Sequence, residues 1–286
     1  MSLFFVDSSC DLGKSQIKKL GIECIDLSYS INDKIFCQDD EFEYAKFYSK
    51  LRKGTVLNEI GLEKEDYINI FSPILETGED IVYVYNSART VGENELLSAK
   101  DFLLEKYPNS KMLLINSKNV SCGHGVVCYL LAMKYRSGAS LDEIEEYSLK
   151  IIDEIATYCV VDSLEYLSNY NKIDGAKVSG TALNIKPIVA IDIDGNYQLV
   201  EKVSGKKKAL GKLIEIIRQR GENVVDYPIA VCHSGAEKDA QLIVEKLKEY
   251  FGSDIQIFEM LASASTTSIL GLGSVAVSFH IHKKMN

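Results

Sequence analysis

No stretch of this sequence reaches the ~18 uninterrupted apolar residues that a membrane-spanning helix needs, so no such helix is expected. Clustered positive charge is also scarce. The formal net charge is −9, and the only dense basic run is Lys206-Lys207-Lys208. A face that binds nucleic acid must neutralise many phosphates, so no nucleic-acid partner is expected. The seven cysteines are odd in number and contain no Cys-x-x-Cys. They read as reduced, mostly buried thiols of a cytoplasmic protein rather than a disulfide framework or a zinc site. Residues 1–7 lack a basic segment followed by a long apolar one, so no signal peptide is expected.

Catalytic signatures are missing too. There is no Gly-x-Ser-x-Gly elbow, no Gly-x-x-x-x-Gly-Lys-Ser/Thr loop and no Gly-x-Gly-x-x-Gly turn. Histidine occurs four times. Cys232 and His233 are neighbours in a predicted strand, so they point to opposite faces and form no dyad with each other. His280-x-His282 puts two imidazoles on one strand face without an identifiable third ligand. The expectation is a protein that is not an enzyme and carries no cofactor.

What is present is ordinary globular composition, 46% hydrophobic and 26% charged over 286 residues, a length that suits two domains. Short apolar runs at 3–7, 22–29, 35–37, 81–85 and 112–115 alternate with helical patterns near 14–20, 41–52, 64–76, 94–106 and 124–136. Strands separated by helices predict a parallel sheet with right-handed crossovers. A capping box at Ser140 and Glu143 opens a helix predicted to run through Tyr158. Two apolar runs, 185–193 and 197–203, flank Asp194-Gly195 and read as a hairpin. A helix at 207–220, strand 229–232, helix 236–250, strand 255–259 and a last strand near 274–282 follow. The predicted fold class is α/β, with an N-terminal domain (1–157) built on a parallel sheet with flanking helices. A C-terminal domain (158–286) carries a mixed sheet with helices.

Open parallel sheets bind ligands outside the carboxyl ends of their strands. Four such ends are rich in small polar residues: Asp7-Ser8-Ser9, Asn86 through Thr90, Asn116 through Ser121, and Cys232 through Gly235. Such residues donate hydrogen bonds without bulk, and they also cap helices and fill turns. Gly123-His124-Gly125 and Gly271-Leu272-Gly273 would let a ligand approach the backbone, or serve backbone geometry alone.

Taken in order, the motifs resemble a known family. Val6-Asp7-Ser8-Ser9-Cys10-Asp11-Leu12 is similar to the opening T-D-S-T-x-D-L of the DegV family. Asn116-Ser117 through Ser121-Cys122-Gly123-His124-Gly125 resembles its D-S-x-x-x-S-x-G-x-G. Leu164 to Leu167 with Lys172-Ile173 resembles L-x-Y-L…G-R-I, and Leu183 to Ile188 resembles L-x-I-K-P-I. Lys202 to Ala209 is similar to K-x-R-G-x-x-K-A. The resemblance runs along essentially the whole chain. It implies two α/β domains and a pocket for one long-chain fatty acid, which some members present to a fatty acid kinase without doing chemistry themselves.

The resemblance also implies where the carboxylate is held, and this chain departs there. The family's Thr falls on Glu59, its Ser on Thr90 and its His on Ile269. The Arg of G-R-I is Lys172, and the first Arg of the basic motif is Ser204, with Lys206 two residues on. Thr90 and Ser87 are then the head-group donors, with Ser8, Ser9, Asn116 and Ser121 lining the same crevice. A carboxylate at Glu59 about 4 Å from a fatty carboxylate would be repelled by about 4 kcal/mol at an effective dielectric near 20. Three solutions follow: Glu59 turns outward, Arg89 or Lys172 neutralises it, or the ligand has a neutral or basic head group. A hydrolase or phosphoryl-transfer enzyme with a strand-end site is the third function class.

Overall fold

Apolar runs that recur between helical patterns fold here as strands buried on both faces, the mark of sheets covered by helices. The structure is a computed structural model. It describes residues 2–32, 34–37, 43–53, 57–86, 92–169 and 184–284, with Glu59 described by its backbone alone. The strands in chain order are β1 (Ser2–Asp7), β2 (Glu23–Ile25), β3 (Ser28–Ile31), β4 (Lys34–Cys37), β5 (Leu57–Ile60), β6 (Asp80–Tyr85), β7 (Met112–Asn116), β8 (Ile155–Val160), β9 (Ile185–Ile191), β10 (Tyr197–Ser204), β11 (Ile229–His233), β12 (Ile257–Leu261) and β13 (Val275–His280). The helices are α1 (Lys14–Leu20), α2 (Tyr44–Leu51), α3 (Lys64–Glu76), α4 (Glu93–Lys106), α5 (Ser121–Arg136), α6 (Leu141–Glu154), α7 (Glu165–Asn169), α8 (Lys206–Arg220), α9 (Glu237–Phe251) and α10 (Ala264–Leu270).

The first sheet has the order β2-β1-β6-β7 and every pair in it is parallel, with Phe5 opposite Tyr83 and Tyr83 opposite Leu114. The second has the order β10-β9-β8-β13-β11-β12 and is mixed, its only parallel pair being β11 with β12. This is the predicted α/β class. A small antiparallel sheet, β4-β3-β5, was not predicted as a sheet of its own.

Strand periodicity explains the layers. Along β8, Ala156, Tyr158 and Val160 join the core made with α8 and α9, whereas Ile155 and Cys159 join the core made with α5. Along β1, Phe4 and Val6 turn toward α5, and Phe5 toward Phe71 of α3 and Leu103 of α4. Helix α5 thus lies between the two larger sheets, and each of its residues from Ser121 to Cys128 is buried. Gly123 and Gly125 make that possible. A Cβ on Gly123 would sit 1.9 Å from Thr157 Oγ1, and one on Gly125 would sit 2.3 Å from the Cys10 carbonyl oxygen. Both glycines serve helix packing.

Two expectations need correction, and some elements went unpredicted. The helix predicted through Tyr158 ends at Glu154, because β8 begins at Ile155. The apolar residues 151, 152 and 155 keep the helical spacing across that boundary, but the β-branched and aromatic residues beyond it pair with β9 and β13. The run at 22–29 is two strands belonging to different sheets, β2 and β3. Strand β5 and helix α10 went unpredicted, the latter because five of its seven residues are Ala, Ser or Thr.

The small sheet is docked onto the rest by α2 and α10. Tyr29, Ile31, Phe47, Tyr48 and Leu57 cluster with Ala264. The Tyr48 hydroxyl donates to the Ala262 carbonyl at 2.8 Å, and Arg52 Nη2 donates to the Gly235 carbonyl at 3.0 Å.

Candidate ligand-binding site

The loops after β1 and β7 meet the start of α10 and the end of β11, and two buried aspartates organise the meeting. Asp7 caps the 3-10 turn Ser8–Cys10 by accepting from the Ser9 N–H at 2.9 Å and from the Ser9 hydroxyl. It also accepts from the Tyr83 hydroxyl at 3.2 Å, and His124 Nε2 lies 3.7 Å from it. Burial works to raise the Asp7 carboxyl. The hydrogen bond and charge of His124, together with the Ser9 bonds, outweigh it and hold the group below the usual carboxylate range.

Asp11 is enclosed by donors from three other elements. It accepts from the Ser121 hydroxyl at 2.8 Å, the Ser263 N–H at 2.8 Å, the Thr266 hydroxyl at 3.1 Å and the Cys232 thiol at 3.4 Å. Here burial wins: it pushes the Asp11 carboxyl up despite the Ser263, Ser121 and Cys232 bonds. Asp11, Lys118 and Ser121 all take positive φ (56°, 44° and 52°), a conformation uncommon away from glycine and one that clusters at functional sites.

Asp11 lines a cavity of about 900 Å³, within the ~300–1,000 Å³ usual for small-molecule sites. It lies against α1 and β2, with Tyr44 of α2 on one side. Leu12, Ile17 and Ile22 give it apolar wall, Ser8 and Asp11 give it polar groups, and Lys14, Lys18, Glu23 and Asp26 complete the charged part of its lining. The Ser8 hydroxyl accepts from the Leu27 N–H at 3.0 Å.

The predicted residues do not all come together. Ser8 lines the cavity. Ser9 and Ser121 sit beside it but are buried and committed to Asp7 and Asp11. Asn116, at the end of β7, instead donates to Glu93 Oε1 at 3.4 Å and accepts from the Lys118 N–H at 2.9 Å. Ile269 is buried on α10 in the core shared with α5, and β5, the strand of Glu59, packs against α10. Ser87, Thr90, Arg89 and Lys172 lie outside the described residues, as does the Glu59 side chain. The Gly271–Gly273 turn has protein against it. A Cβ on Gly271 would meet Tyr166 at 2.5 Å, and one on Gly273 would meet Asp162 at 2.6 Å.

Sequence reasoning missed Asp7, Asp11, His124 and Thr266 as site residues. The first two stand inside the opening motif, but their partners lie as far as 255 residues away, and no local spacing encodes that. Lys206 Nζ lies 3.0 Å from Asp162 Oδ1 and donates to the Gly273 carbonyl, bracing the turn that follows α10. His280 is committed as well: it stacks on Tyr227 at 4.0 Å and lies 3.2 Å from Glu154 Oε2.

All seven cysteines are free and five are buried. Burial pushes the Cys10, Cys122, Cys128 and Cys232 thiols up, and Cys159 to about 12, so they stay protonated and weakly nucleophilic. Among the described residues no helix is long and apolar enough to cross a membrane.

The family model described as an uncharacterised protein of the DegV family matches residues 4–282. The chain belongs to the DegV family. A DegV domain-containing protein of Clostridium perfringens is 30% identical over 283 residues, which covers 97% of this chain and 96% of that protein. Among solved structures, a DegV family protein from Ruminococcus gnavus, refined with vaccenic acid, matches with a TM-score of 0.85 at 25% identity, over 97% of this chain and 99% of its own. The fatty acid kinase B3 protein of Streptococcus pneumoniae, loaded with linoleic acid, matches with a TM-score of 0.83 at 18% identity, over 98% and 100%. The match over residues 4–282 takes in both larger sheets and the small one.

Proposed function

We propose that this DegV protein holds one long acyl chain, a fatty acid, and presents its carboxylate to a fatty acid kinase. The protein itself does no chemistry on it. The observation that carries this reading is membership of the DegV family, with fold neighbours refined or loaded with fatty acids, together with an open cavity of about 900 Å³ whose lining mixes polar and apolar groups. Each buried methylene contributes about 0.8 kcal/mol, so some 14 of them give on the order of 11 kcal/mol before the cost of fixing the ligand. A head group taken from water must then be hydrogen-bonded, which is the work assigned to Ser87 and Thr90, with Lys172 as counter-charge. The division of the chain into domains 1–157 and 158–286 belongs to the same proposal. Saturable binding of radiolabelled hexadecanoate tests it. The carrier takes up one equivalent, and absence of saturable uptake contradicts it.

A second reading has one specific support. Glu59 stands in β5, at the position that the motif resemblance aligns with the family's Thr, and Glu23 and Asp26 line the cavity. Lys14 and Lys18 in the same lining offset those two acids, so the reading rests on Glu59, whose carboxylate favours a ligand with a neutral or basic head group. Glu59→Thr separates the two. If Glu59 faces an anionic head group, the substitution raises hexadecanoate affinity by up to about three decades. An unchanged affinity places Glu59 away from the head group.

A further inference from the structure

Asp11 touches the cavity and a helix of the second half of the chain at once. It lines the cavity with Ser8. Its two donors from the end of the chain, the Ser263 N–H and the Thr266 hydroxyl, are the cap and first turn of α10. Every residue of α10 is buried, so the helix cannot shift without moving what surrounds it. Ser121 ties the same carboxylate to the start of α5, and Cys232 ties it to β11.

We propose that Asp11 is the positioning residue of the ligand site: its carboxylate fixes the start of α10 beside the cavity, in the place the acyl ligand requires. This rests on the acyl-carrier reading. The hydrogen bonds that favour a carboxylate here do not offset its burial. Its titratable neighbours, Cys232, Cys122 and Tyr48, are weak acids that offer no positive charge. Burial disfavours the ionised form, so the charge at this position lowers the stability of the fold. Asparagine is nearly the same size, keeps one acceptor oxygen and carries no charge. A residue that serves binding at the expense of stability gives a distinct pattern: the two properties move in opposite directions on substitution.

The test is Asp11→Asn in the full chain, with hexadecanoate binding and thermal melting both measured at pH 7. The expected result is an affinity weaker by about tenfold or more, as for loss of hydrogen bonds to a charged group, with a melting temperature unchanged or raised. Unchanged affinity overturns the proposal. So does a melting temperature that falls in step with the affinity, because that assigns Asp11 to folding alone. If wild-type protein takes up no hexadecanoate, the carrier reading fails and this inference with it; if wild type binds and Asp11→Asn binds equally, only the inference fails. Should Asp11→Asn not fold, Thr266→Val removes the α10 hydroxyl donor alone. Reduced affinity in that variant supports the proposal, and full affinity overturns it.

Discussion

The hydroxyl of Ser121, the first residue of α5, donates to the carboxylate of Asp11 at 2.8 Å. This bond joins the motif that ends β1 to the motif that ends β7, which are 110 residues apart in the chain. Ser121→Ala removes one donor from a buried carboxylate, and water has little room to replace it. The expected loss is about 1–3 kcal/mol of stability, read by urea denaturation. A variant as stable as wild type would show that Asp11 has no need of this donor.

Two glycines in helices should respond oppositely to alanine. At Gly123 a Cβ would meet Thr157 Oγ1 at 1.9 Å and Asn119 Oδ1 at 2.6 Å, so Gly123→Ala should destabilise by about 1–3 kcal/mol. At Gly211, inside α8, nothing lies within 4 Å, so Gly211→Ala should stabilise by about 0.5–1 kcal/mol. Denaturation midpoints check both. Equal effects would mean that α5 does not approach β8 as described.

Lys206 and Lys207 are adjacent but differ in what they hold. Lys206 braces Asp162 and the Gly273 carbonyl, while Lys207 is exposed. Lys206→Met should cost about 1 kcal/mol and Lys207→Met less than about 0.5 kcal/mol. Equal melting temperatures for the two variants would contradict the brace.

The two aspartates give opposite pH signs. Asp7 is depressed, so its contribution is full above the unfolded value near 4 and is lost as pH falls through the lower folded value. Asp11 is raised, so its contribution is full below about 4 and is lost as pH rises through the higher folded value. His124→Leu removes the group that holds Asp7 down. Stability measured from about pH 2 to 7 should therefore lose the part of its acid slope that Asp7 supplies. An unchanged slope would mean that His124 does not hold Asp7 down.

The architecture was legible because period-two and period-3.6 patterns are local. β1, β6 and β7, each closely followed by a helix, could be read as a parallel sheet from spacing alone. β8 could not, because it is apolar on both faces and continues the spacing of α6 without a break. α10 could not, because a run such as Ser265-Thr266-Thr267-Ser268 has no apolar stripe; its place is set by Asp11 and by the small sheet packed on it. The candidate site was half legible for the same reason. Ser8 and Ser121 stand at strand ends, where small polar residues draw notice, but the aspartates they surround act through partners that only the fold brings near.

The central claim is that this chain holds an acyl ligand, and the most direct measurement is mass spectrometry of the organic extract of denatured protein purified without added lipid. The carrier reading gives a fatty acid at close to one equivalent per chain. An extract without acyl species, from protein that also shows no saturable uptake of labelled hexadecanoate, would contradict it.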